Sequence, residues 1–272
     1  MSEVLPPIID THAHLDDKSF DGDREAMLDR ARAVGVRRML NIAYRPDIWD
    51  ASVALRAAHP DIDLAAGLHP QDAAEFANHN AGLLAERLKA LRPLAIGEAG
   101  FDFFRNGPSF DQQLAAFRWQ IELSRELDLP LIIHQRAAEE ELVNELDRWP
   151  DLPAVVLHSF DGGARLADWA IERGFLVGVG GLATRPKSAP LRDALARAPI
   201  SAVLLETDAP YLAPPAAASR RNEPSNLPLV AGALAPLWDI DNAAFCTITT
   251  TNAERVFAWN TLAKSGPSAN LV

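Results

Sequence analysis

The sequence predicts an α/β protein, a (β/α)8 TIM barrel with a metal site at the C-terminal ends of its strands. Two observations support this fold class. Short apolar runs alternate along the chain with longer segments of helical composition. In addition, six potential metal ligands each lie within a residue or two of the end of such a run. Because a barrel of this type carries its active site on the loops that leave the C-terminal ends of its parallel strands, residues distant in sequence would meet there.

The apolar runs and the segments between them define the predicted elements in chain order. Eight strands are predicted near residues 6–10, 37–43, 63–68, 94–98, 130–134, 154–158, 174–180 and 203–207. Helices are predicted near residues 21–34, 47–58, 81–91, 109–127, 137–149, 163–173 and 188–198. The helix over 109–127 follows from Leu114, Phe117 and Ile121, whose spacings of three and four place them on one face.

The character of the strands favours a parallel sheet that closes into a barrel. Runs such as LIIH and AVVLH are continuously apolar, as expected for strands that are buried on both faces. An open, doubly wound sheet is the alternative architecture. It is disfavoured because no glycine-rich phosphate-binding motif follows the first strand.

The chain after the eighth strand departs from the regular repeat. Residues 209–228 are rich in Pro and Ala and too long for an ordinary connection, so we predict that they fold over the mouth of the barrel. Residues 225–258 predict two helices, the second beginning near Asp241. We assign residues 1–260 to a single barrel domain and residues 261–272 to a polar tail of low order.

Length and composition limit the classes of protein that fit. A chain of 272 residues, 48% of them hydrophobic, has the size of one barrel with one large core. Its formal net charge of −11 argues against a broad basic surface that follows a nucleic-acid backbone. The single Cys246 excludes an intramolecular disulfide. Without a secretory leader or a membrane-spanning run, we expect a cytoplasmic protein that has no membrane association, and no obligate protein partner is evident.

His12 and His14 form an HxH pair directly after the first predicted strand. Since they lie two residues apart at a strand end, their side chains leave on the same side and both imidazoles could reach one ion. Taken alone, such a pair is more often two hydrogen-bonded loop histidines. Its position after the first strand of a barrel favours metal binding.

Four further candidates follow later strands. Glu98 is either a ligand whose two oxygens bridge a pair of cations or the partner of an arginine such as Arg105. His134 and His158 occupy equivalent strand ends and are either ligands of a second ion or satisfied core histidines. Asp208 could bind metal, take a proton from an attacking water, or both. The metal interpretation is favoured because independent structural explanations would have to coincide at all six positions.

Four other residues are predicted to contact a substrate. His69 follows the third strand in GLHP and either contacts substrate or stabilises its loop. Arg105, Arg136 and Arg221 follow strand ends or lie in the long final loop, where a guanidinium group could hold a phosphate with two hydrogen bonds. Surface ion pairs are the alternative for each arginine.

Seven segments together resemble the TatD family of metal-dependent deoxyribonucleases within the amidohydrolase superfamily. In chain order they are IIDTHAHLD, GLHP, AIGEAGFDFFR, LIIHQRAAEEEL, VLHSFDGG, LLETDAPYLAP and RRNEPSNLP. The resemblance covers roughly residues 8 to 258 and is specific, because seven separate segments agree. Small departures are Ala13 where relatives often carry Cys, Phe101 where Leu is common, and Gln71 where some relatives have a second histidine. None of them removes a predicted ligand.

The resemblance implies a barrel that holds two divalent cations and hydrolyses phosphodiester bonds in DNA, often as a 3′ to 5′ exonuclease. It implies that one ion is bound by His12, His14 and Asp208, and the other by His134 and His158. It further implies that Glu98 touches both ions. The cations would be Mg, Mn or Zn; imidazole ligands suit Zn and Mn better than Mg, although Mg often supports phosphodiester chemistry.

The predicted centre reconciles an acidic protein with an anionic substrate. Two dications beside two carboxylates leave a net positive charge in the mouth, which would attract a phosphodiester. One or both ions would lower the pKa of a water molecule, with Glu98 and Asp208 as the catalytic carboxylates. Two other hypotheses remain: a hydrolase of a small-molecule or aminoacyl-ester substrate that uses the same centre, and a metal-binding protein without enzymatic activity.

Overall fold

The computed structural model describes residues 5–76 and 79–259 and has the predicted barrel architecture. Its eight strands form one sheet in which each strand pairs in parallel with the next along the chain. A parallel bridge between Ala13 and Ala209 joins the end of the first strand to the segment after the eighth. The backbone N–H of Asp208 also donates to the carbonyl of His12 at 2.8 Å, so the first and last strands meet and the barrel closes.

The elements follow one another as β/α repeats. The strands are β1 Ile8–Ala13, β2 Val36–Ala43, β3 Ile62–Ala66, β4 Ala95–Asp102, β5 Leu131–Arg136, β6 Val155–Leu157, β7 Leu176–Val179 and β8 Val203–Leu205. The helices are α1 Arg24–Ala33, α2 Trp49–Ala58, α3 Ala73–Phe76, α4 Ala81–Ala90, α5 Phe110–Leu127, α6 Glu139–Leu146, α7 Ala164–Glu172, α8 Ala189–Leu195, α9 Leu227–Leu234 and α10 Asn242–Val256. Single 3-10 turns lie at Lys18–Phe20, Pro70–Asp72, Gly181–Thr184, Pro186–Ser188, Ile200–Ala202, Pro224–Asn226 and Ala235–Trp238.

The predicted strands and helices are present, with two informative differences at strand ends. β1 extends to Ala13 rather than residue 10, and β4 extends to Asp102 rather than residue 98. His12 therefore lies inside β1 and not after it, and Glu98 lies in the interior of β4 and not at its last residue. The apolar run stops at each polar ligand, but the backbone pairing continues beyond a register shift, as in the pair Gly100 and His134.

Two layers of apolar side chains fill the molecule. One layer lies between the strands and the surrounding helices. The other lies inside the barrel and receives at least one residue from every strand, among them Ile9, Leu40, Ala65, Ala95, Ile132, Val156, Leu176 and Leu204. Phe257 and Trp259 join this inner cluster, and the Trp259 indole donates to Asp63 Oδ2 at 2.6 Å. Because Asp63 lies near the start of β3, these rings cover the N-terminal end of the barrel and leave the opposite end as the open mouth.

The long segment after β8 lies over the mouth, as the sequence predicted. Pro210, Tyr211, Leu212 and Arg220 line the cavity there. Asn222 ties the segment down, since its amide donates to the Thr207 carbonyl at 2.8 Å. The second of the two helices that follow begins at Asn242 after an Asp241 cap. The predicted polar tail, residues 261–272, lies outside the described residues, and the domain boundary at residue 260 stays a prediction.

Candidate metal centre

All six predicted ligands converge at the C-terminal ends of the strands. They surround a cavity of about 730 Å³. His14, Glu98, His134, His158 and Asp208 line this cavity, and His12 lies fully buried beside them. Residues separated by as many as 196 positions thus share one site, because the barrel brings every strand end to the same face.

The first group of ligands joins β1 to the segment after β8. His12 Nε2 and His14 Nε2 lie 3.8 Å and 3.3 Å from Asp208 Oδ1. Asp208 has a left-handed backbone with φ 58°, which turns its carboxylate toward the two imidazoles. Donor atoms of all three residues lie within 4.8 Å of one another, so these residues could hold a cation.

The second group joins β4, β5 and the end of β6. Glu98 Oε1 lies 2.6 Å from His134 Nδ1 and 2.8 Å from His158 Nε2. These three donor atoms also lie close enough together to hold a cation. Both groups consist of imidazole nitrogens and carboxylate oxygens, the donors that Zn and Mn accept readily.

Glu98 lies between the two groups and presents one carboxylate oxygen to each. Its Oε2 is 3.6 Å from His12 Nε2 and 3.9 Å from His14 Nε2, whereas its Oε1 faces His134 and His158. A carboxylate placed in this way is suited to bridge two cations, since each oxygen carries its own lone pairs.

The buried polar atoms of the site fit bound cations. Neither ring nitrogen of His12 has a hydrogen-bond partner among the described residues, although the side chain is fully buried. His134 Nε2 and His158 Nδ1 also lack a hydrogen bond within the described ranges, but each faces a carboxylate and not the donor atoms of its ligand group. Leaving such atoms unsatisfied costs about 1–3 kcal/mol each. A cation bound at His12 Nε2 would satisfy this fully buried nitrogen and remove the free-energy cost of leaving it without a partner.

The charges of the site also suit cation binding. Burial alone would raise the pKa of Glu98, but the charge on the neighbouring His158 lowers it well below its ordinary value. Burial and the neighbouring His158 lower the pKa of His12. Burial opposes protonation of His158 too, yet the nearby Glu98 raises its pKa well above the usual range. A cation that bound His158 would therefore displace a proton.

Two carboxylates that the sequence analysis did not select support the ligands from behind. Asp102 Oδ2 lies 3.4 Å from His134 Nε2, and Glu206 Oε1 lies 3.5 Å from His158 Nδ1. A carboxylate at the far nitrogen of a ligand histidine orients the ring and raises its basicity. Their place in the motifs could have identified them, since Glu206 lies two residues before Asp208 in ETD and Asp102 lies four residues after Glu98 in AIGEAGFDFFR.

His69 lies beside the centre, in the place predicted for a substrate contact. Its Nε2 is 3.7 Å from Glu98 Oε1, and its ring centroid is 4.4 Å from that of His134. Its Nδ1 accepts the backbone N–H of Gln71 at 3.0 Å, which leaves Nε2 to carry the proton and face the cavity. Burial lowers the pKa of His69 to about 3, so the ring is neutral. With Asp102 and His134, His69 could also hold a cation.

The three predicted arginines divide into two groups. Arg105 and Arg136 line the cavity, as expected for substrate contacts. Arg221 does not: its guanidinium group donates to both oxygens of Asp23 at 2.7 Å each and lies over the Phe20 ring. It ties the long loop to the segment before α1. The neighbouring Arg220 lines the cavity in its place.

More arginines line the mouth than the sequence analysis predicted. Besides the arginines named above, Arg45 and Arg185 line the cavity. Within the described ranges, four of these five guanidinium groups form no ion pair with a carboxylate, the exception being Arg45, which pairs with Asp47 at 2.9 Å. Five carboxylates, Asp72, Glu98, Asp102, Asp161 and Asp208, share this lining, so the cavity presents groups of both signs.

Comparison with known proteins agrees with this geometry. A sequence model of the family described as TatD related DNase matches residues 9–258. The 3′-5′ ssDNA/RNA exonuclease TatD of Erwinia tasmaniensis is 35% identical over 257 residues, which cover 92% of this chain and 99% of that protein. The metal-dependent hydrolase YabD of Bacillus subtilis is 33% identical over 255 residues, covering 93% of this chain and 100% of that protein.

A solved structure gives the same result for the fold. The crystal structure of YjjV, a TatD homologue from Escherichia coli, superimposes with a TM-score of 0.83 at 31% sequence identity. The superposition covers 92% of this chain and 98% of that one. The similarity therefore extends over the whole barrel and is not limited to the ligand motifs.

Proposed function

The chain belongs to the TatD related DNase family, and from this premise we propose that it is a metal-dependent nuclease that hydrolyses phosphodiester bonds of DNA, in the manner of a 3′ to 5′ exonuclease. The observation that carries the proposal is the position of Glu98 between two groups of ligands in a cavity lined by arginines. The names of relatives that degrade single-stranded DNA and RNA support the same class of substrate.

The proposed cofactor is a pair of divalent cations, Mg, Mn or Zn. His12, His14 and Asp208 would hold one, His134 and His158 the other, and Glu98 would bridge them. When bound, the pair would lower the pKa of a water molecule and stabilise charge on the attacking and leaving oxygens of an in-line displacement.

The side chains of the protein would supply the remaining steps. Asp208 Oδ1 faces the histidines, so the other oxygen of that carboxylate is the one that would orient the attacking water and accept its proton. His69 Nε2–H would donate to a phosphate oxygen. Arg105 and Arg136, together with Arg220, would hold the phosphates of the strand that enters the mouth.

Within the described residues, no helix combines the length and the apolarity that crossing a bilayer requires. We propose a cytoplasmic location, because the single Cys246 is a buried free thiol of the kind found in reducing compartments. No obligate protein partner is part of the proposal.

The direct test measures hydrolysis of end-labelled single-stranded DNA by the purified protein. Protein stripped by a chelator should be inactive and should regain activity when Mg, Mn or Zn is added. Glu98→Ala should lower kcat by more than a hundredfold, beyond the tenfold to hundredfold typical of a residue that only supports a ligand. Bound metal, measured by elemental analysis, should fall in parallel because both cations lose a ligand.

The matched control is His79→Ala. His79 is exposed, and its Nδ1 contacts the Glu75 carbonyl at 2.8 Å, so activity and metal content should stay at the wild-type level. Hydrolysis by Glu98→Ala at the wild-type rate would contradict the proposal. Activity toward small phosphate or aminoacyl esters but not toward DNA would favour the alternative substrate class.

A further inference from the structure

Phe104 is an exposed aromatic ring at the rim of the mouth. It lies two residues after the end of β4, and its side chain is 66% exposed. The guanidinium carbon of Arg136 lies 4.0 Å from the centre of the ring. Arg136 ends β5 and lines the cavity above the ligands. The ring is therefore covered by a cation on the side of the mouth and is otherwise largely in solvent.

The position of the ring is linked to the ligands through Asp102. Its Oδ1 accepts the backbone N–H of Phe104 at 3.0 Å and that of Arg105 at 3.2 Å. Its Oδ2 lies 3.4 Å from His134 Nε2. One buried carboxylate thus positions the loop that carries Phe104 and also contacts a candidate metal ligand. These hydrogen bonds fix the backbone at Phe104 relative to the candidate metal centre.

Packing does not account for the exposure of this ring. Three neighbouring phenylalanines pack together, with ring centroids 5.7 Å apart for Phe101 and Phe110 and 6.2 Å apart for Phe103 and Phe110. Among the described residues, Phe104 has no such ring contact, and the Arg136 guanidinium is the cation that lies over its ring. A large apolar side chain left in water beside a site is a candidate for ligand contact.

We propose that Phe104, backed by Arg136, is the platform on which an unpaired base of the substrate strand stacks. This inference rests on the proposed nuclease function and names the feature of the substrate that the mouth selects. Every base has a π face, so stacking on an aromatic ring tolerates any sequence, and an arginine on the ring adds a cation–π contribution. In a duplex the faces of the bases are covered by their neighbours. The platform therefore selects single strands.

Binding to a hydrolysis-resistant strand tests the platform on the metal-loaded protein. The probe is a short phosphorothioate oligonucleotide that contains 2-aminopurine, whose fluorescence falls when the base stacks. Phe104→Leu, which keeps apolar bulk but removes the π face, should weaken binding about tenfold, within the range for loss of one base–aromatic stack. It should also abolish the fluorescence change. Phe104→Trp should restore both.

Two further comparisons separate stacking from a loss of structure. Wild-type protein should bind an oligonucleotide with abasic positions as weakly as Phe104→Leu binds the normal strand, and the substitution should then have no further effect. Leu83→Ala, at an exposed apolar position of similar exposure on α4, should bind like the wild type. Kinetically, Phe104→Leu should raise KM for single strands while kcat stays nearly constant.

The outcomes distinguish failure of the platform from failure of the nuclease assignment. Hydrolysis of DNA with equal binding by wild type and Phe104→Leu would overturn the platform and leave the nuclease assignment intact. Stacking and weakened binding without hydrolysis would support the platform and contradict the nuclease assignment. If neither single-stranded DNA nor RNA binds to the metal-loaded wild type, both are overturned.

Discussion

Glu98 shows how one residue ties the chemistry of the site to its folding. It is buried, and a buried carboxylate without partners would cost several kcal/mol. Its neighbours are histidines on β1, on β5 and directly after β6, so its charge is balanced only when the barrel has closed. The sequence predicted Glu98 as a ligand because it is a carboxylate at the end of an apolar strand. The assignment of one oxygen to each group required coordinates.

Arg220 and Arg221 form a natural pair for testing substrate contact at the residue scale. Arg220→Ala should raise KM for DNA by up to about fivefold, since an exposed charge contact contributes up to about 1 kcal/mol. It should leave thermal stability unchanged and reduce the dependence of KM on salt. Steady-state kinetics at several salt concentrations, with thermal melts of the same samples, provide the measurements.

Arg221→Ala should show the converse pattern, in which stability changes and KM does not. It removes two 2.7 Å hydrogen bonds to Asp23 and should lower the free energy of unfolding by about 1 kcal/mol, while KM stays at the wild-type value. The loss is limited because Arg30 still pairs with Asp23 and Glu223. A rise in KM for Arg221→Ala without loss of stability would show that the loop rearranges to bring this residue into the mouth.

At the scale of elements, α5 positions the ends of two strands by amide side chains. The Gln113 amide accepts the backbone N–H of Asp102 at 2.9 Å and donates to its carbonyl at 3.2 Å. Gln120 does the same for Leu68, at 2.8 Å and 2.9 Å. These contacts hold the segments that carry His69 and Phe104. The periodicity of α5 predicted its apolar face but not these contacts, because glutamines in a helix ordinarily face solvent.

The packing of α5 against α6 provides a pH-dependent prediction. Glu145 on α6 accepts two hydrogen bonds of 2.7 Å from Arg118 on α5, and one of 3.0 Å from the Trp149 indole. Burial alone would raise the pKa of Glu145, but the bonds from Arg118 and Trp149 lower it below its ordinary value. A depressed pKa means that the stabilisation is present above the unfolded pKa and is lost as pH falls through the folded one.

Glu145→Gln should therefore be less stable than the wild type by about 1 kcal/mol at neutral pH, after allowance for the partly exposed arginine. The difference should disappear progressively as pH falls below the ordinary value of 4.5, because the wild-type carboxylate then becomes protonated. Urea unfolding of both proteins, from neutral pH to below pH 4.5, measures this difference in the free energy of unfolding. Glu122→Gln, at an exposed position on α5, is the control and should show no difference at any pH. A constant difference at all pH values would mean that packing, not charge, is responsible.

For the whole molecule, bound cations should stabilise the barrel as well as activate it. The proposed ligands come from β1, β4, β5 and the segments after β6 and β8, so cations join parts of the chain that separate on unfolding. A ligand at a hundred times its Kd stabilises the native state by about 2.7 kcal/mol. Chelation should therefore lower Tm by about 5 °C or more, and added cations should restore it.

The variants of the activity assay also serve as controls for this melting experiment. His79→Ala should respond to chelation like the wild type. Glu98→Ala should show a smaller shift because its sites are incomplete. Equal Tm values for the stripped and the metal-loaded wild type would count against cations that bridge the strands.

The sequence by itself determined the fold class, because strand-length apolar runs separated by helical segments leave few other ways to bury both faces of a sheet. It also identified all six candidate ligands, since polar residues that end such runs stand out against their surroundings. The resemblance to a family implied how these ligands divide into two groups. Tertiary structure decided the distances within each group, the support from Asp102 and Glu206, and the exchange of Arg221 for Arg220 in the mouth. Those outcomes depend on distances of a few ångströms between residues remote in the chain, and no local pattern encodes such distances.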